Sequence, residues 1–161
     1  MENGFCCFSG HRRVPPAVEP RLRQLLAQTV RELAEGGYGG FLCGGALGFD
    51  TLAAQAVLAE RSRLPELTLS LALPCPGQSD RWPAADRRRY EAILRQADEV
   101  IYLSEAYTRF CMQARNRYMV DHSRLLVCYL TEQRGGTAAT VTYALQRGLT
   151  VRNLAMELDI T

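Results

Sequence analysis

At 161 residues, with 47% hydrophobic and 22% charged side chains, the chain has the composition of one globular domain with a real core. No apolar run approaches the ~20 residues that span a bilayer, and the start Met1-Glu2-Asn3-Gly4 lacks the pattern of a secretion signal, so the cytoplasm is the expected compartment and no membrane partner is expected. The net charge of +2 gives no general footprint for nucleic acid, and all 19 basic residues are arginine, which excludes lysine nucleophiles, Schiff bases and a phosphate-loop lysine.

Residues 5–9 form a short apolar run that ends at Gly10 and reads as a first strand. Pro15, Pro16 and Pro20 then mark a loop and a helix start, and Leu22, Leu25, Leu26, Val30 and Leu33 recur at helical spacing until Gly36-Gly37 stops the helix. A brief second strand is expected over 40–43. Asp50 reads as the N-cap of an alanine-rich helix over 51–60. A third strand over 67–73 closes at Pro74-Cys75-Pro76-Gly77, and the polar stretch 78–86 is expected to be a loop. Tyr90, Ile93, Leu94 and Ala97 make the buried stripe of the next helix. Strands over 100–103 and 125–130 flank a helix at 110–121, a last helix covers 137–146, and Thr150-Val151 begins a terminal strand.

Strands and helices therefore alternate, and the strands are nearly continuous apolar runs. This pattern specifies an α/β, Rossmann-like three-layer sandwich with a mostly parallel sheet of five or six strands, in one domain over 1–161. Ligands in such sheets sit beyond the C-terminal strand ends. Ser9-Gly10-His11-Arg12, Gly44-Gly45, Pro74, Ser104 and Gly135-Gly136 should all collect there.

Two glycine pairs, each between a strand and a helix, carry the main functional signal. Glycine lets backbone N–H groups approach a ligand closely, and a helix start adds unpaired donors and partial positive charge. Gly44-Gly45 and Gly135-Gly136 together suggest a paired cradle for an anion, most simply a nucleotide phosphate. The pattern Gly44-Gly45-Ala46-Leu47-Gly48 does not match the dinucleotide fingerprint, so a nicotinamide-dependent dehydrogenase is not expected. Ser9 and His11 are expected to donate hydrogen bonds, Gly10 to allow a tight exit from the strand, and Arg12 to clamp phosphate. Arg115 and Asn116, near a helix start, are placed to reach phosphate or ribose, and Thr137 to offer a hydroxyl. Asp50 is counted with the ligand-facing set, although capping alone would explain it.

Cys6, Cys7, Cys43 and Cys128 lie in apolar strand segments, where a thiol behaves as a small hydrophobe. Without a Cys-x-x-Cys spacing or a Cys/His cluster, no metal site is expected. Cys75 and Cys111 fall nearer the strand ends, where one of them is a candidate for reactivity. A Ser-His-Asp triad is not supported, because His122 and Ser123 are adjacent and do not face each other. No catalytic residue is assigned and no cofactor is specified.

Taken in order, these segments resemble the YpsA-like family of the SLOG superfamily, the Rossmann-like group that also holds DNA-processing protein A and the lonely-guy cytokinin-activating enzymes. The resemblance runs through Ser9-Gly10-His11-Arg12 and Gly44-Gly45-Ala46-Leu47-Gly48-Phe49-Asp50 to Trp82, Asp86 and Tyr90. It continues through Ala97-Asp98-Glu99-Val100, Tyr107, Arg115-Asn116-Arg117-Tyr118-Met119-Val120-Asp121 and Gly135-Gly136-Thr137-Ala138-Ala139-Thr140-Val141. It implies a Rossmann-like fold and the binding or sensing of a nucleotide or nucleotide derivative, including one that bears ADP-ribose. It also implies, as rivals, a hydrolase that cleaves an N-glycosidic or phosphate bond and, less favoured, single-stranded DNA binding; homo-oligomer formation stays open. The lonely-guy motif Pro-Gly-Gly-x-Gly-Thr-x-x-Glu is not kept: alignment on Gly135 places Ala138 at its third glycine and Thr142 at its glutamate.

Overall fold

Six short apolar segments pair into one sheet in the computed structural model, which describes residues 4–158. In chain order the elements are β1 (Gly4–Gly10), α1 (Glu19–Glu35), β2 (Tyr38–Cys43), α2 (Phe49–Arg63), β3 (Thr68–Leu73) and α3 (Ala84–Gln96). There follow β4 (Glu99–Tyr102), α4 (Cys111–Asp121), β5 (Leu125–Tyr129), α5 (Gly136–Gln146), β6 (Thr150–Asn153) and α6 (Leu154–Leu158). The strand order is β4-β3-β2-β1-β5-β6 and every pairing is parallel, as the alternation of strands and helices requires. The expected Rossmann-like sandwich is present.

Parallel strands send alternate side chains to opposite faces, and both faces here are apolar. Cys6, Phe8, Phe41, Cys43, Leu71 and Val127 point to a first face covered by α1, α2, α3 and α6. Cys7, Leu42, Ala72, Leu126 and Cys128 point to a second face covered by Met119 and Val120 of α4 and Ala144 of α5. The first layer is built from large side chains, with Phe8 stacked on Phe41 at 6.0 Å between ring centroids. The second uses smaller strand residues, Cys7, Ala72 and Cys128, beside Leu42 and Leu126.

Helix α1 buries Leu22, Leu26 and Val30, one per turn, and ends where Gly37 takes φ +100°. It is tied to α2 by the buried Glu60 carboxylate, which accepts from Arg31 and Arg63 at 2.9 Å each. Those hydrogen bonds, Arg63 first and then Arg31, hold Glu60 below its ordinary pKa.

Strand ends shift by a residue or two from the sequence reading, and three differences bear on the site edge and its surroundings. Asp50 is not the N-cap of α2: the helix opens two residues before Thr51, because Gly48 at φ +76° turns the chain into it. Helix α3 begins at Ala84, inside the stretch read as loop, because Pro83 ends the turn and supplies the N-cap position. Helix α6 was not expected, and it is capped by Asn153, whose Oδ1 accepts the N–H of Ala155 at 3.1 Å. The same amide bonds the N–H and C=O of Leu130 at 3.1 and 2.9 Å, locking the exit of β5 to β6.

Candidate functional site

Strand order reverses at β1, with β2 on one side and β5 on the other, so the loops after these three strands meet at one edge. The first loop is clamped by the protein itself. Gly10 has no room for a side chain, because the Phe49 ring fills the space its Cβ would take. His11 C=O accepts the Phe49 N–H at 3.1 Å, and His11 Nε2 accepts the Thr131 N–H at 2.9 Å. His11 was expected to donate from its ring; here Nε2 accepts, which puts the proton on Nδ1 and makes the ring a clasp between the β1 and β5 loops. Ser9 is buried beneath it, whereas Arg12 is exposed and lines a separate cleft of about 660 Å³ with Arg13, Arg23, Arg89, Glu19 and Asp86.

The loop after β2 is buried and filled. A Cβ on Gly44 would lie 2.6 Å from an Arg115 guanidinium nitrogen and 2.9 Å from Asp50 Oδ2. Gly45, at φ +69°, has Leu73 Cδ2 at 2.5 Å and Tyr90 Cε1 at 3.2 Å from the same position. Its carbonyl accepts Gln78 Nε2 at 3.1 Å, and that nitrogen also reaches the Tyr90 hydroxyl at 3.1 Å. Both glycines are thus accounted for by close packing and a left-handed turn.

Two buried charged groups, Asp50 and Arg115, sit under this loop. Arg115 is 4% exposed; its Nη1 donates to the Gly44 carbonyl and its Nε to Asn116 Oδ1 at 2.8 Å. Burial lowers its pKa, and the Asp50 charge works the other way. Asp50 is 5% exposed; Oδ2 accepts the Ala46 N–H at 3.2 Å, while Oδ1 is buried with no hydrogen-bond partner. Desolvation pushes its pKa from 3.8 up to about 6, against the pull of Arg115, the Ala46 N–H and Arg12. The two groups therefore form a polar floor to the site, with Arg115 already donating to the protein through Nε and Nη1.

The loop after β5 is the opposite case. Gly135 takes φ +98°, and a Cβ on Gly135 or Gly136 would meet nothing within 4 Å. Both glycines are exposed, Thr137 behind them is buried, and no side chain caps α5. The first N–H groups of an 11-residue helix thus face an open approach.

Other candidates fall away from this edge. Asp121 ends α4, which runs back toward the strand starts, and it accepts from Tyr143 at 2.8 Å and pairs with Arg147 at 3.3 Å. His122 is exposed and stacked on Tyr118 at 4.0 Å. Cys75 and Cys111 do lie at the strand ends, but both are buried, and burial followed by the neighbouring Cys111 thiol raises the Cys75 pKa, away from reactivity. Sequence reasoning missed Gln78, which lies in a polar loop with no motif, and a groove of about 550 Å³ between α4 and α5 that opens at Gly136. The groove had a signal: Gln113, Asn116 and Arg117 recur on one side of α4, with Arg109 just before its start.

Comparison with known proteins agrees with this architecture. The DNA processing protein A structures from Helicobacter pylori and Streptococcus pneumoniae superpose with TM-scores of 0.66 and 0.65 at 20% and 19% identity. They cover 92% of this chain, which spans 64% and 49% of theirs; the Helicobacter pylori protein binds single-stranded DNA. An uncharacterized SPbeta prophage-derived protein, YoqJ, of Bacillus subtilis is 30% identical over 139 residues, 75% of this chain and 81% of that protein. A UPF0398 protein of Staphylococcus epidermidis is 26% identical over 63% of this chain, which spans 55% of that relative. The YpsA model, described as the YspA SLOG family, matches residues 16–158, and the chain belongs to that family.

Proposed function

We propose that this protein binds a nucleotide or nucleotide-derived ligand at the strand ends, with a phosphate on the Gly135-Gly136-Thr137 start of α5. The observation that carries the reading is the uncapped helix start: no side chain hydrogen-bonds its first turn, and a Cβ on either glycine would meet nothing among the described residues within 4 Å. Asn116 lines the groove that includes Gly136 and serves as a polar contact there, while Ser9, the Thr137 hydroxyl and Arg12 are kept as proposed contacts. Gly10, His11, Gly44, Gly45, Asp50 and Arg115 hold the floor and the seam. Six free thiols suit a reducing compartment, consistent with the cytoplasm, and no described helix is long and apolar enough to cross a membrane.

Calorimetry against nucleoside mono- and diphosphates, ADP-ribose and a short single-stranded oligonucleotide tests the reading. Gly136 lies outside the left-handed region and has open space, so Gly136→Asp should fold and should repel phosphate by like charge. Nucleotide binding lost in this variant supports the site; unchanged affinity removes it. Binding that appears only with the oligonucleotide favours the second reading, a single-strand binder like its Helicobacter pylori structural neighbour. The hydrolase reading lacks the glutamate of the related enzymes, since Thr142 stands at that position. Free base released from nucleoside monophosphates, and lost on mutating this edge, would reverse that order.

A further inference from the structure

We infer that the groove between α4 and α5 holds the nucleobase of the ligand whose phosphate rests on Gly136, an assignment that rests on the proposed phosphate site. The groove, about 550 Å³, starts at Gly136 and has the size of a small-molecule site. Its charge is one-sided: Arg109 and Arg117 line it and no carboxylate does, whereas the two clefts of about 660 Å³ carry Glu19 with Asp86, and Glu66 with Asp121.

Each arginine already sits over an aromatic ring. The Arg117 guanidinium lies over the Tyr143 ring at 5.0 Å, and Arg109 lies over Phe110 at 5.3 Å. The Tyr143 ring is fixed in turn, because its hydroxyl donates to Asp121 at 2.8 Å. One face of each guanidinium rests on an aromatic ring, and the other can take a base by stacking. Phe110 is 62% exposed, so this stacking surface is not spent in the core.

Two amides supply edge recognition. Asn116 Oδ1 accepts Arg115 Nε at 2.8 Å, which commits its NH₂ to donating, and so to a ring nitrogen or carbonyl acceptor. Gln113 is exposed on the same groove, and no side-chain hydrogen bond ties it to another described residue. Stacking planes, a fixed donor and an adaptable amide beside a phosphate seat match a base attached to a 5′-phosphate.

The test compares AMP, GMP, CMP and UMP with ribose 5-phosphate and inorganic phosphate by calorimetry. On this assignment the best nucleotide binds at least about tenfold tighter than ribose 5-phosphate, from stacking alone. Gln113→Leu and Arg117→Gln remove that advantage while leaving ribose 5-phosphate unchanged, and circular dichroism checks that both variants fold. As a second readout, an azido derivative of the best-binding base should label the tryptic peptides 110–115 and 135–147, with protection by excess nucleotide. Equal affinity for ribose 5-phosphate and every nucleotide overturns the base subsite and keeps the phosphate reading, as does labelling confined elsewhere. Failure of all the phosphates to bind sinks both.

Discussion

The two glycine loops look alike as sequence and behave as opposites in the structure. Gly44 and Gly45 are packed against Arg115, Asp50, Leu73 and Tyr90, so their missing side chains make room for protein. A Cβ on Gly135 or Gly136 would meet nothing among the described residues within 4 Å, so their missing side chains leave room for something else. A glycine pair after a strand therefore says that the backbone must be approached closely, and only the surroundings say by what. The closed loop builds the floor of the edge, and the open loop offers its donors.

Substitution at the closed loop should have the largest effect. Gly45→Ala adds a Cβ 2.5 Å from Leu73 Cδ2 at a left-handed backbone position, and overpacking and strain together should cost about 2–5 kcal/mol in urea denaturation. A normal midpoint would mean that the closed loop is not closed.

The buried carboxylate below that loop should next show itself through pH. The folded pKa of Asp50 is raised from 3.8 to about 6, so folding takes up a proton there between those values. Its stabilising contribution is complete below the unfolded pKa and is lost as pH rises through about 6. At about 1.4 kcal/mol per pH unit this amounts to about 3 kcal/mol. Other carboxylates oppose it, notably Glu60, whose lowered pKa contributes stability above its unfolded value that is lost on acidification. The quantity to measure is therefore the difference between wild type and Asp50→Asn: from about pH 4 to about pH 7 wild type should lose stability relative to the variant. Parallel pH profiles would mean that Asp50 ionises normally.

Arg115→Lys sharpens the contrast further. The lysine keeps the charge but cannot span Gly44 C=O and Asn116 Oδ1 with a planar fork, so about 1–3 kcal/mol of stability should go. Loss of nucleotide affinity with an unmoved folding midpoint would instead assign the guanidinium to the ligand. The smallest effect belongs to the open loop: Gly136→Ala should leave stability within about 1 kcal/mol, or raise it slightly by restricting the unfolded chain.

The fold was legible because its determinants are local and periodic. Leu22, Leu26 and Val30 mark a helix face, and runs such as Leu125-Leu126-Val127-Cys128-Tyr129 can only be strands buried on both sides. Boundaries set by one backbone angle were not legible, which is why Asp50 was placed as a cap that Gly48 makes unnecessary. The edge on which Ser9, Gly44 and Gly136 gather followed from strand direction alone. What did not follow was access: whether Arg115 points at a ligand or at the Gly44 carbonyl depends on how closely α4 lies on the sheet. That distance is set by the small second-face residues Cys7, Ala72 and Cys128, which carry no motif.

The position of β1 also bears on how the molecule is made. Its partner on one side, β2, follows within the next few tens of residues, but its partner on the other side, β5, begins only at Leu125. A chain emerging amino-terminus first can assemble β1 to β4 with α1 to α3 while the far edge of β1 stays open. Residues 125–129 close that edge, and only then does the His11–Thr131 clasp form and the helix start at Gly136 come to rest beside it. The seam that gathers the candidate site is thus a late join of biosynthesis, followed by the docking of β6 and α6. A small molecule held across it would work as a rivet, present or absent according to supply, on the segment that begins with β5.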